Sequence, residues 1–298
     1  MTEEQAKYST QTKNFIILGM GYISKKHLEA IKAVGGKLLA FYEPEHENLG
    51  FIQDYFDYDI PYFKDRDRLD RHVYKLQKEG VQIDYCSVLS PNCYHEPQAR
   101  WAIRSGINVI CEKPICTSLH NFDSLIEIEK EFDKKVYPIL QLRHHPISER
   151  MKEKCSVGYH KVNINYSTYR TSWYFGTWKN REDMSGGLIF NIGVHLVDLS
   201  SFLFGKYEGF NVTEKNEKVV SGSIDFERAH VNFRLSIQAG EARNRVFNID
   251  GEVLSFDNGF TDLHTEVYRR IIENDNPVPL SEARQAIQIC EDIRNAKK

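Results

Sequence analysis

Glu112-Lys113-Pro114 and Ser185–Asp198 hold the residues of this chain best suited to moving protons. Lys113 follows a buried apolar run, Ile107–Cys111, at the carboxyl edge of a sheet, where ligands of open α/β folds sit. A lysine there can hydrogen-bond a substrate hydroxyl and, once partly desolvated, titrate below its usual range. A surface lysine ahead of a proline-bounded turn is the plainer alternative. In SGGLIFNIGVHLVD, Asn191 and His195 are four apart and Asp198 is three further on, so a helix puts all three on one face. A histidine on that stripe can act as general base toward a sugar hydroxyl. The alternative is a helix packed through Leu188, Ile192, Leu196 and Leu199, with His195 satisfied in the core.

These residues need a scaffold, and Asn14–Leu28 (NFIILGMGYISKKHL) supplies its centre. Phe15–Leu18 reads as a buried parallel strand that runs into Gly19-Met20-Gly21. A helical pattern follows, with Ile23, His27, Ala30, Ile31 and Val34 on one face. Strand, two-glycine turn and helix start form the geometry that holds a dinucleotide pyrophosphate, although Ser24 stands where a third glycine is usual. The next strand, Lys37–Tyr42, ends in Glu43, placed to bind a ribose diol and to repel a 2′-phosphate, which favours NAD over NADP. Gly19, Gly21, Tyr22, Ile23 and Glu43 are therefore candidate cofactor residues. Ser90, Asn92, His95, Glu112 and Lys113, at the later strand ends, join them. Ser90 and Asn92 also suit ordinary turn and N-cap positions.

On the far side of the first half, Gln141-Leu142-Arg143-His144-His145 begins just past a strand, and Arg143 can meet an anion bidentately. Trp173, Tyr174, Phe175 and Trp178, next to Arg170 and Lys179, can stack a base or sugar and hold phosphates. Core packing or a subunit contact serves the aromatics equally well. Adjacent histidines chelate poorly, and Cys111 with Cys116 lacks ligand spacing, so no metal is assigned.

The chain of 298 residues, 41% hydrophobic and 27% charged with net charge −3, reads as a soluble protein. Its acids and bases intermingle, which argues against nucleic acid. No apolar run approaches a membrane span, and the polar N-terminus resembles neither a signal nor a transit peptide. Six cysteines without C-x-x-C spacing suit a reducing cytoplasm.

Strands and helices alternate over the first half, which predicts a doubly wound parallel sheet over 1–142. Beyond it, 143–298 reads as an α+β domain with an open-faced, mostly antiparallel sheet. Lys161–Thr168 alternates, Glu227-Arg228 and Asp250-Gly251 are hairpin turns, and helices span Gly187–Phe204 and Ser281–Asn295. The open face suggests a homodimer or homotetramer.

The motifs GMGYISKKHLEAI, SPNCYH, CEKP and GGLIFNIGVHLVD, in this order over nearly the whole chain, resemble the Gfo/Idh/MocA oxidoreductases. GYISKKHL, DRHVYKL, VICEKP, LQLRHHP, the Trp173–Trp178 segment and SGGLIFNIGVHLVD resemble the bacterial UDP-N-acetylglucosaminuronate 3-dehydrogenase branch. The resemblance implies that Lys113 and His195 flank the reacting sugar carbon, with a cis Lys113-Pro114 bond. It implies His195 as base and Lys113 polarising the hydroxyl, or the two roles shared or exchanged. Asn191 stands where many members carry an aspartate. Gln141, Arg143, Arg170, Trp173, Tyr174, Trp178 and Lys179 become candidates for a UDP-linked N-acetylated uronic acid. NAD is the implied cofactor, regenerated by 2-oxoglutarate in some relatives. A dehydrogenase of another sugar, inositol or glycoside, or a non-catalytic sugar- and NAD-sensing regulator, is the alternative.

Overall fold

The computed structural model describes residues 12–45, 49–254, 256 and 263–297. The N-terminal polar segment up to residue 11, and Asn48, lie outside them. Six parallel strands form the first sheet: β1 (Asn14–Leu18), β2 (Lys37–Tyr42), β3 (Tyr62–Phe63), β4 (Tyr85–Val88), β5 (Asn108–Cys111) and β6 (Val136–Pro138). Their order is β3-β2-β1-β4-β5-β6, so the order of winding reverses between β1 and β4 and leaves a crevice at their carboxyl ends. The connecting helices are α1 (Ser24–Ala33), α2 (Arg66–Lys78), α3 (His95–Arg104) and α4 (Leu119–Glu131). Phe15–Leu18 are fully buried because helices cover both sheet faces, which is why that strand is continuously apolar rather than alternating.

After α5 (Pro146–Lys154) the second half builds a six-stranded sheet in the order β12-β11-β7-β10-β9-β8. Its strands are β7 (His160–Ser167), β8 (Tyr207–Lys215), β9 (Val219–Phe226), β10 (Ala229–Ser236), β11 (Asn244–Ile249) and β12 (Glu252–Leu254). Neighbours are antiparallel except β7 and β10, which run parallel. Both expected hairpins form. Phe226 pairs Ala229 across Glu227-Arg228, and Asp250 and Gly251 take φ of 51° and 93°, as a type I′ turn requires. β8 went unforeseen because register shifts near Tyr207 and Val212 break its alternation.

Between β7 and β8 lie α6 (Ser172–Phe175), α7 (Glu182–Ser185) and the helix that carries the candidate base. That helix is not the uniform one expected over Gly187–Phe204. Gly187 has φ of +78°, a π-helical turn occupies Ile189–Gly193, and α8 runs only over Val194–Phe204. Asn191 and His195 line one cavity, whereas Asp198 is taken up by Arg143. A Cβ on Gly193 would lie 2.7 Å from Leu235 Cδ1, so the missing side chain lets this segment settle against β10. Glu182–Phe204 is apolar and long enough to cross a membrane, but most of it is buried inside the protein.

The division at residue 142 needs one amendment. α9 (Leu263–Glu273) returns to the first sheet and packs on α1, while α10 (Arg284–Asn295) lies against α8 and α4. Val267, Tyr268 and Ile271 are buried there, each contributing about 1.5–3 kcal/mol. Tyr268 stacks on Phe15 at 5.9 Å and reaches Ser87 of β4. The second half thus packs back onto the first through α9 and α10.

Candidate active site

The carboxyl ends of β1, β2, β4 and β5 open into a cleft of about 1140 Å³. Gly19 leaves β1 at φ +96°, and a Cβ there would sit 2.7 Å from Ser90 N, so only glycine fits. Nothing lies within 4 Å of a Cβ built on Gly21, leaving open space above the turn. Ser24 is fully buried and donates to Gly21 O at 2.7 Å, so the serine ties the turn to α1. Glu43 Oε2 accepts the Met20 N–H at 2.6 Å, which sets the acid against the glycine turn with lone pairs left for a diol. Tyr22, 91% exposed, and Ile23 frame the mouth. Open backbone at a helix start and an acid at the end of β2 fit a dinucleotide.

The other cofactor candidates line the same cleft, and several also brace it. Ser90 Oγ donates to Gln98 Oε1 at 2.7 Å. Asn92 is buried and donates to Ser185 O at 2.8 Å, which links the two halves. His95 spans Pro114 O at 2.7 Å and Ser90 O at 2.6 Å, joining the loops after β4 and β5. Burial pushes the His95 pKa down against those two acceptors.

At the cleft floor the Lys113-Pro114 bond is cis, and Lys113 Nζ donates to Asn191 O at 3.3 Å. Asn191 also donates its amide to the Tyr174 hydroxyl at 3.0 Å. Lys113, Asn191 and His195 meet around a side chamber that opens from the floor. Burial, followed by the nearby Lys113 charge, holds the His195 pKa well below the usual histidine range, so its imidazole is neutral and able to accept a proton. Burial also lowers the pKa of Lys113, with Lys179 adding to the effect and Glu112 opposing it.

Glu112 faces away from this chamber, into a network the sequence did not disclose. His27 and His264 each donate Nε2–H to Glu112 Oε1 at 3.1 Å. His27 Nδ1 then accepts from the Tyr268 hydroxyl at 2.8 Å, which itself accepts from Ser87 Oγ at 2.7 Å. Burial would raise the Glu112 pKa, yet the two histidine bonds outweigh it and hold the carboxyl well below its usual range. The three ligand-type atoms lie within 4.8 Å of one another and satisfy each other by hydrogen bonding. The ionised Glu112 also accepts the Lys113 N–H at 3.1 Å, so the network anchors the lysine backbone.

Most of the remaining substrate candidates line the two cavities. Arg170, Tyr174, Trp178 and Lys179 border the main cleft, and Gln141 and Arg170 border the chamber. Trp173, half exposed, carries the Arg170 guanidinium at 5.9 Å and Lys179 Nζ at 5.2 Å over its ring. Trp173 and Arg143 line neither cavity, and Arg143 corrects the sequence expectation. It is 4% exposed, with Nε and Nη2 donating to Asp198 at 2.9 and 2.7 Å and Nη1 donating to Glu282. Its fork is already filled, so it belongs to the scaffold. Arg66 of the main cleft and Arg245 of the chamber take cationic positions that were overlooked.

A dinucleotide fold with an amine and a neutral imidazole beside one chamber defines a nicotinamide-dependent oxidoreductase. Residues 13–139 match the family model "Oxidoreductase family, NAD-binding Rossmann fold", and residues 156–232 match "Oxidoreductase family, C-terminal alpha/beta domain". The chain belongs to the Gfo/Idh/MocA oxidoreductase family. It is similar to the WlbA (WbpB) dehydrogenase of Thermus thermophilus, crystallised with NAD and alpha-ketoglutarate, at 36% identity and TM-score 0.91 over 96% of each chain. The crystal structure of the Thermus thermophilus enzyme with NAD and UDP-GlcNAcA gives 35% identity and TM-score 0.90 over the same shares. D-glucoside 3-dehydrogenase of Escherichia coli (strain K12) is 25% identical over 42% of this chain, which spans 37% of that relative's length.

Proposed function

We propose that this enzyme oxidises the C3 hydroxyl of UDP-GlcNAcA, a UDP-linked N-acetylated uronic acid, to the 3-keto sugar, within lipopolysaccharide sugar synthesis. The observation that carries the reading is the meeting of Lys113 and His195 at a chamber beneath a cleft rich in cations. Likeness to a WlbA dehydrogenase crystallised with this nucleotide sugar supports the choice of substrate.

In the reaction the C3–H leaves as hydride while the C3–OH proton goes to a base, and C=O forms. NAD, when bound, supplies the hydride acceptor. The neutral His195 imidazole takes the hydroxyl proton. Lys113, held by Asn191 O and the Glu112 carboxylate beneath it, donates to the same oxygen and stabilises the charge that develops there. Asn191 is an amide where a carboxylate is common, so it orients hydroxyls without raising the basicity of His195. Arg170 and Lys179, with Trp173 and Trp178 under them, suit the diphosphate and its base. The same reading has the open face of the second sheet joined to another copy of the chain.

The test is turnover of purified enzyme with NAD and UDP-GlcNAcA, followed by the absorbance of reduced nicotinamide and by mass spectrometry of the sugar. Formation of the 3-keto product is expected. Turnover of free aldoses or inositol, with none of the UDP-sugar, would transfer the assignment to another branch of the family.

A further inference from the structure

Lys113 is held from a side of the molecule that the reaction does not touch. Next to it in the chain, Glu112 gathers a set of buried polar side chains: His27 of α1, Ser87 of β4, and His264 and Tyr268 of α9. His264 and Tyr268 are four apart, so one face of α9 delivers both. Packing alone asks for no such set, because apolar side chains fill the same space without taking a charge out of water.

The direction of the hydrogens gives the cluster its sense. An ionised Glu112 only accepts, so His27 and His264 both donate Nε2–H to its Oε1 at 3.1 Å. His27 Nδ1 is then the acceptor for the Tyr268 hydroxyl at 2.8 Å, and that oxygen accepts from Ser87 at 2.7 Å. Every proton in the chain points toward one carboxylate, and each bond polarises the next. The other oxygen, Oε2, takes the Lys113 N–H at 3.1 Å. With both oxygens engaged, the carboxylate is kept from turning to pair with Lys113 Nζ. That amine donates to Asn191 O at 3.3 Å instead and has donors left for a reacting oxygen.

We infer that His264 and Tyr268, acting with His27 and Ser87 through Glu112, are positioning residues for Lys113: they fix its backbone and keep its amine directed to the reacting hydroxyl. A lysine of the first half is thus set by a helix that arrives late in the chain. The inference rests on the proposed oxidation and deepens it. Around Glu112 the titratable groups are His27 on α1, His264 and Tyr268 on α9 and Cys111 on β5. Its charge also bears on His95, Lys113 and His195. Burial lowers the pKa of both Lys113 and His195, and the Glu112 charge opposes it in each.

The experiment compares wild type with Tyr268→Phe, His264→Phe and Glu112→Gln, with melting curves and NAD titration for each. On UDP-GlcNAcA, kcat is expected to fall on the order of tenfold in His264→Phe, which loses a bond to a charged group, and about threefold in Tyr268→Phe. KM should stay near wild type, and His264→Gln, whose amide can still donate, should recover part of the rate. Trace labelling with acetic anhydride, read at Lys113 by peptide mass spectrometry across pH, reports the amine without any substrate. Glu112→Gln removes the charge and should move the Lys113 profile to lower pH. His264→Phe frees the carboxylate to pair with the amine and should move it to higher pH, with Tyr268→Phe following by less. Should wild type fail to oxidise UDP-GlcNAcA, the proposed function falls, and the labelling profiles alone then judge the positioning. Tyr268→Phe, which removes a single oxygen, decides the matter if His264→Phe does not fold. Profiles unmoved in both α9 variants, or moved the same way as in Glu112→Gln, would overturn the inference. So would a lower melting temperature with kcat, KM and labelling unchanged, which would make the network structural only.

Discussion

Helix α8 borders two charged regions that are built in opposite ways. At Asp198 the carboxylate accepts from two nitrogens of Arg143, and Glu282 takes a third, so a buried cation is matched by carboxylates. Burial raises the Asp198 pKa, with Arg143 opposing that rise, and the pair is hidden from solvent. Three residues earlier in the helix, His195 faces a space bordered by Lys113, Arg170 and Arg245, none of them in an ion pair among the described residues. Matched charges hold the fold, whereas unmatched ones mark where a charged ligand completes the structure. The contrast also explains why Arg143 misleads a reader of the sequence. Its type suits anion binding, but its neighbours have already used it.

The largest effect should come from the unmatched side. Lys113→Ala and His195→Ala are each expected to slow hydride transfer by about 10²–10⁴-fold. Thermal stability and NAD binding should stay near wild type, as measured by melting curves and cofactor titration. A loss of folding instead of rate would erase the distinction between the two regions.

Next comes the matched side. Arg143→Ala leaves Asp198 buried without its partner, and denaturant titration should register a loss of about 3–5 kcal/mol. The fraction that remains folded should bind UDP as wild type does. Weakened UDP affinity with normal stability would move Arg143 back into the site.

The smallest effect is a displacement in the pH profile. Raising pH through the lowered Lys113 pKa removes its proton, so kcat/KM should decline on an alkaline limb below the usual lysine range. Lowering pH through the still lower His195 pKa protonates the base, so the acid limb should lie below 6.5. Asn191→Asp adds a negative charge beside Lys113 and should raise both values, moving both limbs to higher pH. Fixed limbs in that variant would separate Asn191 from the acid–base pair.

What the sequence disclosed follows from how local each interaction is. Gly19, Gly21 and Glu43 were legible because strand, turn and helix are contiguous there, and Lys113 because it directly follows a buried strand. His195 was found through helical spacing, but the same spacing could not show that Asp198, three residues on in α8, is taken by Arg143. The partners of Arg143 lie 55 and 139 residues away, so nothing near it in the chain reveals that it is occupied. The Glu112 network was invisible for the same reason, since His264 joins from 152 residues downstream on a helix that crosses back to the first sheet. Arg245 sits in an alternating strand, where an exposed arginine attracts no notice until β7 and β11 pair and bring Tyr166 beneath it.

The most direct measurement uses UDP-GlcNAcA deuterated at C3, mixed in a single turnover with enzyme carrying NAD. Deuterium is expected on the reduced nicotinamide, with the UDP-sugar recovered as its 3-keto form. Label retained at C3 while the nicotinamide is reduced by another position, or no reduction at all, would contradict the placement of that carbon between Lys113 and His195.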